Sequence, residues 1–208
     1  MLSALLWTGL GFLLGSIPFS VIIGKVFLSK DIRDFGDRNP GAANVWRAGG
    51  GTLLGMLAVL LDLSKGFVPV FLATYWRGVS GPSLVAVALA PVLGHAFSPF
   101  LRFKGGKAIA ATFGIWGGFT LLEGPLALGV SMGAIHIWQK NNAWTVVIGM
   151  TGFLLYLLLR RPDPYTLAVW AGNSAIVTWK HLAELREPLR VRPVIVRAFK
   201  KVFGKRFK

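Results

Sequence analysis

Apolar residues in this chain come in long, nearly unbroken stretches, not in the one-sided three-and-four spacing of a solvated helix. A helix that crosses a bilayer needs roughly 20 such residues. Windows of this kind fall near 3–24, 52–76, 83–101, 107–122, 124–139, 143–159 and 165–180. They predict an all-α, polytopic integral membrane helical bundle with about seven transmembrane helices. The fourth and fifth windows are short, and only Glu123, Gly124 and Pro125 separate them. A five-span arrangement with one re-entrant segment fits the same pattern. The opening run MLSALLWTGLGFLLGS has no basic leading region and continues into polar motif residues, so it reads as an uncleaved first span.

The polar positions between the windows are not evenly charged. With seven spans, Lys25, Lys30, Arg33, Arg38, Arg47, Arg102, Lys104, Lys107 and Lys140 share a side with the basic C-terminal residues. The other side carries Arg77, Arg160 and Arg161. Cytoplasmic loops are the basic ones, so the motifs and C-terminus are expected in the cytoplasm and the N-terminus outside. Residues 1–190 then form one membrane-embedded domain. Residues 191–208 form a basic amphipathic tail, with Ile195, Phe199, Val202 and Phe203 at helical spacing, suited to an interfacial anchor.

Composition narrows the chemistry. The chain is 54% hydrophobic and only 15% charged, which excludes an ordinary soluble domain. Its net charge of +15 would suggest nucleic acid in a soluble protein. Here the cations lie between apolar spans and in the tail, so anionic membrane lipids are the expected partners and nucleic acid is not. Without cysteine there are no disulfides, thiolate nucleophiles or cysteine metal ligands. The three histidines lack neighbouring carboxylates in ligand spacing, so neither a metal nor a cofactor is expected.

Three glycine-and-cation stretches remain. In the first, Gly15, Ser16, Pro18 and Ser20 precede Lys25 at the end of the first span. Such a run also serves as a small-residue packing face with a snorkelling lysine. The second runs from Gly36 through Asn39, Gly41 and Asn44 to Arg47. Asn44 and Arg47 are three apart, which places them on one side of a helical turn. Backbone N–H groups of a glycine-punctuated loop beside a helix start suit a phosphate. A plain capped turn is the alternative. The third, Phe103-Lys104-Gly105-Gly106-Lys107, follows His95, Pro99 and Arg102. Its spacing is not that of a nucleotide-binding P-loop. It reads as a generic phosphate contact or as a tight positive turn.

Asp62 and Lys65, three apart in an apolar span, can pair along one helix face, as a structural ion pair or as support for a site. His136 is expected at the interface. His181, at the cytoplasmic end of the last span, is a candidate for orienting substrate or moving a proton, or a plain surface histidine.

In this order the motifs resemble those of the bacterial acyl-phosphate:glycerol-3-phosphate acyltransferases, the PlsY-type family. Gly15 to Lys25 is similar to its GSIPF segment and following lysine. Gly36 to Arg47 is similar to GSGNxGATNxxR, Leu61 to Gly66 to LDxxKG, and Gly94 to Ala108 to GHxFPxFxxFKGGKG. The resemblance implies transfer of a fatty acyl group from acyl phosphate to the 1-hydroxyl of glycerol-3-phosphate. The products are lysophosphatidic acid and phosphate, in phospholipid synthesis, without coenzyme A, metal or acyl carrier protein. Arg47, Lys104, Lys107 and His181 are then the catalytic candidates. Ser16, Gly36, Asn39, Gly41, Asn44, Gly105 and Gly106 are the substrate-binding ones. The chain departs from the pattern at Asp37 and Arg38 (for SG), Ala43 (for T) and Ala108 (for the last G), and in two later segments. There Asn141-Asn142-Ala143-Trp144-Thr145 stands for YxSLxS, and Lys180 to Glu184 keeps the histidine of RHxxN but loses its asparagine. The expectation is that Arg38 offsets the Asp37 carboxylate. The other readings are a non-catalytic or altered-specificity membrane protein that binds a phosphorylated ligand, and a small transporter of anionic solutes. The second is disfavoured by the gathering of charge at one face.

Overall fold

A computed structural model describes residues 2–195 and Arg197. Its helices are α1 (Leu2–Ser16), α2 (Phe19–Leu28), α3 (Ala42–Val45), α4 (Gly51–Phe71), α5 (Gly81–Ala96), α6 (Ile109–Thr120), α7 (Glu123–Trp138), α8 (Asn142–Arg160) and α9 (Pro164–Leu185). Among the described residues there is no strand, only a single bridge between Gln139 and Val191. Every apolar window of the sequence holds a helix. The first is broken at Ile17–Pro18, between α1 and α2, where proline lacks an N–H for the helical ladder. The chain then stays helical to Leu28.

Among the described residues, four segments are long and apolar enough to cross a membrane: Leu2–Leu28, Ala42–Trp76, Gly81–Leu101 and Asn142–Arg160. α6 is not. Its 12 residues rise about 18 Å at 1.5 Å each, against a hydrocarbon core of ~30 Å. The cause lies just before it. The segment 104–108 is non-helical and turns back into the bundle beside the end of α5, where Gly106 N donates to His95 O at 3.0 Å. Lys180 Nζ ties down the same place, donating to Ala96 O at 3.0 Å and Gly105 O at 2.9 Å. α6 therefore starts inside the protein.

The helices alternate between two ends of the bundle. At one end Tyr75 reaches Phe119, and Glu123 is held by Arg161 and Tyr156. At the other end Lys107 meets Asp37, Asn141 meets Glu184, and the backbone of Lys140 meets that of Arg190. α1 packs along α5 and α4 along α6. The first contact depends on small residues: a Cβ on Gly15 would sit 2.3 Å from Pro91 O. Trp116 anchors the centre, edge-on to Phe153 and donating to Asn173, which in turn donates to Thr112. This chain satisfies polar groups that have no access to water. The outer surface is apolar, with Leu53 80% and Val130 71% exposed, as a lipid-facing surface requires. Of the expected tail helix, Phe199, Val202 and Phe203 lie outside the described residues.

Candidate functional site

The loop after α2 is ordered by its own side chains. Asn44, in α3, donates through Nδ2 to Asp37 Oδ1 at 3.0 Å and to Asn39 O at 2.8 Å. Its Oδ1 accepts from Arg47 NH1 at 2.8 Å. Both ends of one amide are used, so the loop, α3 and Arg47 move as a unit. The three-residue spacing of Asn44 and Arg47 makes this geometry available. Gly36 permits it: its φ is +57°, and a Cβ there would fall 2.5 Å from both Arg47 NH1 and Asn44 Oδ1. Gly41 caps α3 without a side-chain bond, and the backbone of Ala42 and Ala43 lines the cavity beyond. The first N–H groups of a helix have no partner within it.

The third motif closes on this loop. Lys107 Nζ lies 2.6 Å from Asp37 Oδ2 and 2.8 Å from Glu184 Oε1, tying three segments that are distant in sequence. Arg47 NH1 is 3.4 Å from Asp37 Oδ1. The two motif loops thus share one anionic centre. Burial alone would raise the Asp37 pKa, but hydrogen bonding and charge from Lys107 outweigh it and hold the carboxyl below its usual range. Burial pulls Lys107 down, and its bonds to Asp37 and Glu184 more than reverse this, so its pKa is raised. Stability from Asp37 is therefore complete above the ordinary carboxylate pKa of about 3.9 and fades as pH falls through its lower folded value. Stability from Lys107 is complete below about 10.4 and fades above that. Across neutral pH the clasp stays charged. Arg38 plays no part in it, contrary to expectation. It lines a separate cavity, and Lys107 and Arg47 carry the offset.

A cavity of about 590 Å³ opens behind the clasp. Asn39, Gly41, Arg47, Lys107, His181 and Thr145 line its polar part. Trp46, Val59, Leu63, Ile109, Phe113 and Val146 line an apolar part between helices. Its floor carries Asp62, which the sequence offered as a structural ion-pair partner or as support for a site, and His95, which was not among the expected site residues. Asp62 Oδ1 lies 2.8 Å from Lys65 Nζ, and Oδ2 accepts from Ser20 at 2.8 Å. His95 Nδ1 is 3.9 Å from Asp62 Oδ1. The signal for Asp62 was present in the sequence, as a charge pair inside an apolar run. The position of His95 follows only once the 104–108 segment folds back on it.

Other expected residues stand elsewhere. Lys104 is not in this cavity; it lines the one that holds Arg38. Gly105 and Gly106 are packing positions rather than cavity-lining ones. A Cβ on Gly105 would fall 2.1 Å from His95 O, and one on Gly106 2.3 Å from His95 Nε2. Ser16 is buried, donates to Phe12 O at 2.7 Å and accepts at its own carbonyl from Ser98. It lines neither cavity and belongs to the small-residue face of α1. His181 is buried, not a surface residue, with Nδ1 2.8 Å from Val177 O. That contact directs the other ring nitrogen, Nε2, away from the helix backbone.

A cavity with cations at one end and an apolar channel at the other suits an amphiphile with an anionic head. Comparisons with known proteins agree. The family model for glycerol-3-phosphate acyltransferase matches residues 5–190. Glycerol-3-phosphate acyltransferase 1 of Thermotoga maritima is 38% identical over 193 residues, covering 86% of this chain and 94% of the relative. The glycerol-3-phosphate acyltransferase of an Anaeromyxobacter species is 40% identical over 190 residues, covering 86% and 90%. The fold is similar to the crystal structure of PlsY, an integral membrane glycerol 3-phosphate acyltransferase, in its glycerol 3-phosphate form. The TM-score is 0.80 at 30% identity, over 88% of this chain and 90% of that one. The lysophosphatidic acid form of the same enzyme matches with a TM-score of 0.79 at 29% identity.

Proposed function

The chain belongs to the glycerol-3-phosphate acyltransferase family, and we propose that its central cavity transfers a fatty acyl group from acyl phosphate to the 1-hydroxyl of glycerol-3-phosphate. The observation that carries this reading is the convergence of Arg47 and Lys107, from two distant loops, at the mouth of one cavity with an apolar channel behind it. Acyl phosphate is an activated anhydride, so the protein need not supply a nucleophile. Its task is to hold two phosphates together against their repulsion and to aim a hydroxyl at the carbonyl carbon. Arg47 and Lys107 supply the positive charge, and the backbone at Ala42 and Ala43, the first residues of α3, offers N–H donors. The acyl chain lies along Trp46, Leu63 and Phe113. The hydroxyl oxygen bonds to the carbonyl carbon, the C–O bond to phosphate breaks, and the departing phosphate takes the hydroxyl proton. The motif-bearing end faces the cytoplasm of a bacterial cell and the N-terminus lies outside, in keeping with the basic loops gathered at that end.

The test is purified protein with palmitoyl phosphate, with and without glycerol-3-phosphate. Release of phosphate and formation of lysophosphatidic acid that both require glycerol-3-phosphate are expected. Binding of either substrate without turnover would overturn the catalytic reading in favour of a phosphate-binding relative.

Asp37 makes a distinctive prediction. Its carboxylate occupies the cations that a substrate phosphate needs. Asp37→Ser, which restores the hydroxyl of the resembled motif, should lower KM for glycerol-3-phosphate by about fivefold. The pair with Lys107 is partly exposed, with side chains 35% and 22% accessible, so screening limits the competition to about 1 kcal/mol. A KM that rises on this substitution would show that Asp37 organises the site instead of competing for it.

A further inference from the structure

A second cavity, of about 720 Å³, lies at the same end of the bundle between α2 and the turn Pro99–Leu101. It shares no lining residue with the central cavity. Five cations line it, Lys25, Arg33, Arg38, Arg102 and Lys104, and no carboxylate does. Asp31 engages two of them from outside: Arg33 NH2 is 2.5 Å and Lys25 Nζ 3.9 Å from its Oδ2. Among the described residues, Arg38, Arg102 and Lys104 form no ion pair. Three like charges around one hollow repel one another, and an anion joining them relieves that repulsion.

The backbone bears a cost to make this arrangement. Arg38, Arg102 and Phe103 have φ of +59°, +52° and +61°, a region that costs side-chain-bearing residues roughly 1–2 kcal/mol each. The turn at Arg38 separates it from Asp37, which faces the central cavity. Lys104 follows directly on the turn at Arg102 and Phe103 and lines this hollow, whereas Lys107 lines the central cavity. The hollow is also amphipathic. Pro18, Val21, Ile22 and Phe100 form its apolar wall, with Phe100 62% exposed and, just beyond, Phe103 64% exposed. Lys25 stands in the last turn of α2, where the first apolar segment ends.

We propose that this cavity binds the phosphate head group of an anionic membrane lipid, at a site separate from the reaction centre and beyond the acyl-transfer reading. Guanidinium groups at Arg38 and Arg102 match phosphate oxygens in planar pairs, and Ile22 and Phe100 accept the start of an acyl chain. A zwitterionic head group brings an ammonium that the same cations repel, so the site discriminates by net charge.

Native mass spectrometry of the full chain in detergent tests this, with dioctanoyl phosphatidylglycerol, dioctanoyl phosphatidylethanolamine and inorganic phosphate as probes. The wild type and Arg47→Ala should both bind the glycerol lipid at least tenfold more tightly than the ethanolamine lipid. The triple variant Lys25→Gln/Arg38→Gln/Arg102→Gln should lose that preference to below twofold. The charge-retaining triple Lys25→Arg/Arg38→Lys/Arg102→Lys should keep most of it, which separates loss of charge from loss of fold. Unchanged preference in the glutamine variant overturns the proposal. So does loss of preference in Arg47→Ala, which would place the lipid in the central cavity. Inorganic phosphate bound as tightly as the lipid would overturn the lipid assignment in favour of a free anion.

Discussion

Arg47→Ala and Lys107→Ala are each expected to lower glycerol-3-phosphate-dependent phosphate release by about 10²–10³-fold, the range seen when one preorganised donor to developing charge is removed. The two should fail differently. Arg47 is positioned by the Asn44 amide, itself locked to the loop through Asp37 and Asn39. Its planar fork suits a bidentate phosphate, so Arg47→Lys should recover little. Lys107 is a point charge between Asp37 and Glu184. Its loss leaves two carboxylates beside the substrate without their cation, so KM should rise along with the fall in kcat. Steady-state kinetics on both substrates would check this. Full turnover in either alanine variant would remove that residue from the site.

Lys104 and Lys107 mark the boundary between what the chain reveals and what it conceals. The helical windows were legible because lipid imposes length and apolarity on each segment. The pairing of Asn44 with Arg47 was legible because three residues make nearly one helical turn. The partition of the third motif was not. Lys104 and Lys107 are three apart in sequence and line different cavities, because Arg102, Phe103 and Ala108 adopt left-handed backbone around them. Residue type gave no warning, since none of the three is glycine. The same turns draw 104–108 into the bundle, shorten α6 and bring Gly106 against His95. That single local event explains why α6 misses the length of a span and why His95 reaches the cavity floor. Ser16 lines neither cavity, and a small residue near a motif serves helix packing and ligand binding equally well by composition.

Asp62→Ala is expected to destabilise the protein by about 3–5 kcal/mol, the cost of leaving one buried charge without its partner. Asp62 and Lys65 have side chains only 3% exposed and lie 2.8 Å apart. Removing the carboxylate leaves Lys65 with the carbonyl of Ile17 at 2.9 Å and the face of the Phe19 ring, and leaves Ser20 without its acceptor. The carbonyl of Ile17, in the break between α1 and α2, accepts from Phe19 N as well as from Lys65, so the lysine also closes the gap between the two helices. The double variant Asp62→Leu/Lys65→Met should regain most of the lost stability, because it removes both charges and fills the space. Unfolding in detergent followed by circular dichroism, with the single variants Asp62→Leu and Lys65→Met completing a double-mutant cycle, separates the pair's coupling from the effect of volume. A loss below about 1 kcal/mol in Asp62→Ala would mean that water reaches Lys65. Activity adds an independent reading. Asp62 also faces the cavity within 3.9 Å of His95, so a double variant that is stable yet slow would assign the carboxylate a positioning role for the imidazole. A double variant that is both stable and fully active would confine the pair to holding α1, α2 and α4 together.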